Sequence, residues 1–389
     1  EVIVMNNFEF YCPTKVLFGK GTIAELPRLI DKSQKVLMIY GGGSIKRNGV
    51  YEQVKQALEG YQLYEFGGIE PNPKYETCMK AVELINQENI DFLLAVGGGS
   101  TLDGTKFIAA AAKYEGDDAY DAILVREEAV KDALPLADII TLPATGSEMN
   151  NGAVISRIST SEKLPFHSDL VFPRFSIIDP QVTFSLPVRQ TINGIVDTFV
   201  HVMEQYCTYD VNTPLQDDWA LGILRTLINE APKVLAEPND YDARANIFWC
   251  ATCGLNYWIS LGAVQDWATH MIGHELTAFY GIDHGQSLAI VLPRLLKNQK
   301  VSKSKKLAKL AREVFGVQEA VDLKAADKAI DNIEEFFNSI GMKTKLADYE
   351  IDAMDAAEKI KNRFAQRNVA FGEKCNITSE TAFEIIKNC

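Results

Sequence analysis

Several features are scarce in this chain, and each scarcity narrows what it can be. No apolar run approaches the ~20 residues that a membrane-spanning helix requires. Basic residues are outnumbered, with 39 Lys and Arg against 52 Asp and Glu, for a formal charge of −13. Such a surface repels phosphate backbones and anionic lipid headgroups, so neither nucleic acid nor a membrane is an expected partner. The seven cysteines are odd in number and scattered, which suits the reduced thiols of a cytoplasmic protein rather than a disulfide framework. Repeats and low-complexity segments are lacking. Glu1 to Val4, ahead of Met5, are too few and too acidic for a signal peptide and read as an expression-vector remnant.

What is present is an ordinary globular composition, 47% hydrophobic and 23% charged, over 389 residues. That length favours two domains. Sixteen of 26 Gly and ten of 14 Pro fall at or before Pro187, and no Pro follows Pro293. In the first half, β-rich runs (Val36–Tyr40, Phe92–Val96, Ile139–Leu142) alternate with helical stretches, the pattern of a parallel sheet wrapped by helices. Beyond Pro187 the period is helical. Leu307, Leu310, Ala311, Val314 and Phe315 trace one face, and Ile330, Ile333, Phe337 and Ile340 another, closed by Gly341. Lys303, Lys305, Lys306, Lys309 and Arg312 fall on the polar side of the first of these helices and read as a solvated face. The expected boundaries are residues 5–186 for an α/β domain and 187–389 for an all-helical one.

Two glycine runs follow apolar strands: Gly41-Gly42-Gly43-Ser44 and Gly97-Gly98-Gly99-Ser100. Glycines let backbone N–H groups approach a pyrophosphate, and a helix start adds further donors. Neither run is G-x-G-x-x-G, and each alone is equally a tight turn. Together with the polar turn Thr141 to Ser147 they favour an extended, doubly phosphorylated ligand such as a dinucleotide.

Four of five histidines, His201, His270, His274 and His284, lie within 84 residues of the helical half. Asp197 and His201 are four apart, so a helix projects both from one face roughly 6 Å apart along its axis. His270 and His274 repeat this spacing, and Asp283-His284-Gly285 follows a turn at Gly281. Carboxylate with imidazole suits a catalytic Zn²⁺, Fe²⁺, Mn²⁺ or Co²⁺ rather than a thiolate-bound structural zinc. His167 has no partner nearby in sequence and reads as an ordinary histidine. Phe199, Trp267, Phe279 and Tyr280, near the candidate ligands in sequence, suggest a small, largely apolar substrate.

Gly97 to Asp103, Thr141 to Ser147, Asp197-x3-His201 and His270-x3-His274-x9-His284-Gly285 together resemble the iron-containing (group III) alcohol dehydrogenase family. Phe18-Gly19-Lys20-Gly21 and Gly68 to Pro73 extend the likeness over nearly the whole chain, nearest the NADPH-dependent aldehyde reductase and butanol dehydrogenase subgroup. The resemblance implies a Rossmann-like parallel-sheet α/β domain that binds a dinucleotide, then an all-α metal-binding domain, a divalent ion in the cleft between them, and a homodimer. It assigns one ion to Asp197, His201, His270 and His284, with Fe²⁺ or Zn²⁺ first and Co²⁺, Mn²⁺ or Ni²⁺ as alternatives. His274 stands near the ion, as proton relay or as support for a ligand. Gly97, Gly98, Gly99 and Ser100 would hold the pyrophosphate, Asp103 would lie close to the cofactor, and Thr141, Thr145, Asn150 and Lys163 would line its ribose and nicotinamide side.

Many NAD-using relatives carry an aspartate after the first strand, where this chain has Gly41, Gly42, Gly43 and Ser44. A carboxylate there would repel a 2′-phosphate, whereas Ser44, the glycine N–H groups and Lys46 or Arg47 could receive one, so NADP(H) is expected over NAD(H). The expected activity interconverts small primary alcohols and aldehydes. Two rivals are a cyclising lyase of the dehydroquinate synthase kind, whose anionic substrate would want several cations about the site, and a non-catalytic nucleotide- or metal-binding protein.

Overall fold

The computed structural model describes residues 4–389; residues 1–3 of the segment read as a vector remnant lie outside the described residues. The chain forms two compact units. One comprises Tyr11–Pro187 with Pro238–Phe248, and the other Val188–Glu237 and Trp249–Cys389 with the described residues up to Phe10. Phe248 is part of the first unit's apolar core, and the Lys20 ammonium lies 4.2 Å from the centre of the Tyr241 ring, which ties Pro238–Phe248 to that unit.

The first unit is built on a six-stranded sheet of β1 (Lys15–Phe18), β2 (Lys35–Tyr40), β3 (Gln62–Gly67), β4 (Phe92–Gly97), β5 (Leu136–Ile140) and β8 (Phe175–Ile178). All neighbours are parallel, in the order β1-β8-β5-β4-β2-β3. A separate antiparallel hairpin joins β6 (Gly152–Arg157) to β7 (Glu162–His167). The central strands are apolar on both faces because helices cover both. Leu37, Ile39, Leu93 and Ala95 pack towards the helices Tyr75–Glu88 and Gly99–Ala111, while Val36, Met38, Leu94 and Val96 meet Ile23, Leu26 and the helix Val50–Ala57. β2 and β4 fall on the apolar runs that announce them. The Ile139–Leu142 run is corrected: β5 begins at Leu136 and ends at Ile140, because Pro143 cannot continue the ladder and Thr141 and Leu142 already belong to the turn.

The second unit is largely helical. Lys300–Glu313 carries the Leu307 face, and Asp322–Ser339 carries the Ile330 face and ends before Gly341, whose φ of +90° lies in the left-handed region that favours glycine. The solvated reading of the basic run fails at two positions, since Lys303 and Lys306 are buried. Lys303 Nζ donates to the Cys207 carbonyl at 2.7 Å, Asp266 at 2.9 Å and Glu373 at 3.2 Å, and Lys306 pairs with Asp217. Both lysines turn inward because carboxylates from other segments meet them, which a helical period does not reveal.

Candidate metal centre

Three helices of the second unit bring the candidate ligands together. Val188–Tyr206 carries Asp197 and His201, Ala268–Tyr280 carries His270, and His284 opens His284–Asn298. Asp197 Oδ1 lies 3.4 Å from His201 Nε2, 3.6 Å from His270 Nε2 and 3.5 Å from His284 Nε2. These separations exceed the roughly 2.7–3.2 Å of a good hydrogen bond. They match the spacing of about 3.3–3.4 Å between tetrahedral ligands each about 2.0–2.1 Å from one ion. Ligand atoms of Asp197, His201 and His270 all fall within 4.8 Å of one another, and these three residues are buried.

His270 supplies the fit test. Its Nδ1 pairs with Glu204, whereas its Nε2 is buried without a hydrogen-bond partner and stands beside Asp197 Oδ1. A buried ring nitrogen with no partner is costly unless a cation uses its lone pair. Burial works against a charged His270, but Glu204 and Asp197 outweigh it and carry its pKa up to about 9. Carboxylates that attract a proton here would equally attract a divalent ion, so the residues present fit the metal.

The local chain explains the convergence. A Cβ at Gly285 would meet the Asn193 carbonyl oxygen at 2.8 Å, so the His284 helix approaches the Asp197 helix closely because no side chain intervenes. Asp283 caps that helix in a reciprocal box with Gln286, and its Oδ2 accepts from Arg189 at 2.6 Å and Asn193 at 2.7 Å. The His270 helix starts after Trp267, whose φ is +65°, and Asp266 accepts the Ala268 N–H at 3.0 Å.

His274 lies one turn beyond His270, its ring 6.2 Å from that of His270 and 5.3 Å from that of His284. Of the four aromatics, Trp267 sits against the ligands, 5.2 Å from His270 and 6.0 Å from His201. Phe199 is corrected: two residues past Asp197 it faces away and packs on Phe336 and Phe337 in the core. Phe279 lies under Arg363, and Tyr280 donates to Asp355. Glu204 was not among the candidates, although it touches His270. Its signal was available, because Asp197, His201 and Glu204 at i, i+4 and i+7 form one helical stripe.

In the first unit, the expected cofactor loops leave the carboxyl ends of β2, β4 and β5 side by side. Tyr40 pairs with Val96, Gly97 pairs with Ile140, and the Thr141 N–H donates to the Gly97 carbonyl at 2.9 Å. β2 and β4 flank the point where strand order reverses, which is where open α/β sheets bind ligands. Gly98 precedes the helix Gly99–Ala111 without a side-chain cap, leaving N–H donors at its start. A Cβ at Gly99 would meet Thr145 Oγ1 at 2.3 Å, so this glycine also lets two loops touch. A Cβ at Gly42 or Gly43 would meet open space, and Ser44 is exposed. Ser100 Oγ accepts from the Asn72 N–H at 3.3 Å.

Asp103, half-buried, and Asn150, buried, are supports within this loop cluster. Asp103 accepts from Ser147 Oγ at 2.7 Å and the Val154 N–H at 3.0 Å, and Asn150 donates to the Gly146 carbonyl at 2.9 Å. Between them lies Lys106, absent from the sequence candidates, whose Nζ meets both oxygens of Ser147 and of Asn150 and the Gly152 carbonyl at 2.7–3.0 Å. Burial lowers the Lys106 pKa to about 8 against the pull of Asp103, and burial raises Asp103. Lys163, in β7, adds positive potential at Asp103. His167, at the end of β7, is exposed and pairs across the hairpin with Gly152.

A parallel sheet with glycine loops at its switch point, and a helical unit that gathers one carboxylate and three imidazoles, are the parts of a metal-dependent oxidoreductase using a dinucleotide. The chain belongs to the iron-containing alcohol dehydrogenase family: residues 13–180 match the family "Iron-containing alcohol dehydrogenase" and residues 191–389 its C-terminal part. It is 49% identical to the NADPH-dependent aldehyde reductase YqhD of Escherichia coli (strain K12) over 98% of this chain and 99% of that protein. It is 38% identical to NADH-dependent butanol dehydrogenase A of Clostridium acetobutylicum over the same shares. The solved structure of E. coli K-12 YqhD superposes with a TM-score of 0.97 at 48% identity, covering 100% of both chains. That of butanol dehydrogenase A from Thermotoga maritima does so with 0.93 at 36% identity, covering 99% of this chain and 98% of the other.

Proposed function

We propose that this protein is a metal-dependent aldehyde reductase, or alcohol dehydrogenase in reverse, acting on small aldehydes with NADP(H) in preference to NAD(H). The observation that carries the reading is the convergence of three imidazole Nε2 atoms on Asp197 Oδ1 at ligand spacing. Fe²⁺ or Zn²⁺ is the ion this donor set favours, held by Asp197, His201, His270 and His284. When bound, such an ion supplies Lewis acidity towards a carbonyl oxygen, worth several kcal/mol, and reduced nicotinamide supplies hydride.

The chain's own residues do the rest. Buried Asp197 and Glu204 set a negative field that retains a cation, and Trp267 covers the ligand rings from one side. His274, buried next to His284, is placed to hold the proton that the product oxygen requires. In the first unit, the glycine N–H groups and Ser100 take the pyrophosphate, Thr141 and Thr145 border the nicotinamide side, and Lys106 with Asp103 keeps their loop in place. NADP(H) is preferred because Gly41 to Ser44 present hydroxyl and N–H donors and no carboxylate to a 2′-phosphate; Lys46, 4.9 Å from the centre of the Tyr51 ring, adds positive charge. Relatives named for NADPH and for NADH both occur, so this preference rests on the loop's chemistry.

The test is oxidation of NADPH and of NADH with butanal, using protein stripped by chelator and reloaded with Fe²⁺ or Zn²⁺. Reduction that depends on reloading and runs faster with NADPH is expected. Equal rates in stripped and reloaded protein would overturn the reading.

A further inference from the structure

We infer that Glu204 is a positioning residue of the metal centre: it fixes the orientation and tautomer of His270 and supplies the missing cap of the helix that carries it. This rests on the reading of Asp197, His201, His270 and His284 as ligands of one ion.

The His270 helix begins at Ala268 behind Trp267, a left-handed residue whose side chain caps nothing. The first N–H groups of a helix need acceptors from elsewhere. Asp266 takes that of Ala268, and the next two are taken from another helix. Glu204 Oε1 accepts the Thr269 N–H at 2.5 Å, and Oε2 accepts the His270 N–H at 3.3 Å. The same Oε2 pairs with His270 Nδ1. A carboxylate has no proton to give, so the bond to Nδ1 requires the hydrogen on the ring. The remaining nitrogen, Nε2, then carries the lone pair and stands 3.6 Å from Asp197 Oδ1, on the side where the other ligands gather. One carboxylate therefore sets where the His270 backbone begins, which way its ring faces and which nitrogen is basic.

The sequence geometry makes this a single rigid fixture. Glu204 is three residues beyond His201 and seven beyond Asp197 on the same helix, so two ligands and the residue that holds a third share one stripe. The two segments are joined again where the Asp266 N–H donates to the Glu204 carbonyl at 2.9 Å. Both carboxylate oxygens are committed as acceptors, so no orientation of an amide replaces them: a glutamine would turn its NH₂ either on the Thr269 N–H or on His270.

The experiment measures Zn²⁺ and Co²⁺ affinity by chelator competition in the wild-type protein, in Glu204→Gln and in Glu204→Asp, with the Co²⁺ absorption bands as a readout independent of turnover. Groups that orient a ligand histidine typically change metal affinity roughly 10–100-fold when replaced. We expect a loss in that range with altered Co²⁺ bands in Glu204→Gln. Glu204→Asp keeps both acceptors one methylene short; it serves where the glutamine variant does not fold, and it should also bind more weakly than wild type. Wild-type affinity and unchanged Co²⁺ bands in a folded variant would overturn the inference, even if its melting temperature fell. Failure of the wild-type protein to bind either ion would instead overturn the ligand reading beneath it.

Discussion

Asp197 and His284, from helices far apart in sequence, meet with Oδ1 and Nε2 3.5 Å apart. Asp197 is the one carboxylate among the four candidate ligands, so its charge should matter more than its shape. Asp197→Asn keeps the shape and removes the charge. Metal affinity should fall by more than about 100-fold, beyond what groups behind the ligands usually control, and aldehyde reduction should fall with it. Elemental analysis after dialysis, paired with turnover on butanal, checks this, and full metal content in the variant would refute it.

Lys106 places its ammonium among oxygens of Ser147, Asn150 and Gly152, within the field of half-buried Asp103. Lys106→Met keeps the length but leaves those acceptors and the carboxylate without a cation. Leaving a buried hydrogen-bonding group without its partner typically costs about 1–3 kcal/mol. Urea unfolding should show a loss of that order, and KM for NADPH should rise because Ser147 to Asn150 lose their anchor. A loss below about 1 kcal/mol with unchanged KM would show that the loop stands without it.

How much of this was legible in the sequence depends on the range of the signal. Val36–Tyr40 and Phe92–Val96 revealed buried parallel strands because both faces of such strands are apolar. Asp197 with His201 showed through a four-residue spacing. His284 needed the family likeness, since nothing local ties it to a residue 87 positions earlier. Glu204, Lys106 and Lys303 were missed for one reason: each acts on a segment distant in sequence, and their partners depend on tertiary packing rather than on a local period. The same limit misled the reading of Phe199, whose nearness to Asp197 along the chain places it on the opposite helix face.

Asp138, buried in β5, accepts from Ser176 Oγ at 2.6 Å, while its other oxygen is buried without a partner. Burial raises its pKa well above the usual carboxylate value. A group with a raised folded pKa contributes stability that is present below its unfolded pKa, ~3.9, and lost as pH rises through the folded one. Asp138→Asn removes that loss. It should be more stable than wild type near neutral pH, by about 1–3 kcal/mol, with the difference shrinking as pH falls towards 4. Chemical denaturation at several pH values checks this; a constant difference would show that ionisation is not the cause.

Ser44 is exposed at the start of the short helix Ser44–Arg47, where an aspartate is compatible with the fold because carboxylates suit helix starts. Ser44→Asp should therefore leave stability near wild type while placing negative charge where a 2′-phosphate is expected. Glu65, which meets Tyr51 at 2.8 Å, is also paired with Lys55 at 3.1 Å, so its charge is offset there. The ratio of kcat/KM for NADPH to that for NADH should move towards NADH by at least tenfold, equivalent to about 1.4 kcal/mol. Lys46→Ala should move it the same way by a smaller factor, because an exposed cation is screened by salt. An unchanged ratio in Ser44→Asp would place the 2′-phosphate elsewhere and remove the basis for the NADP(H) preference.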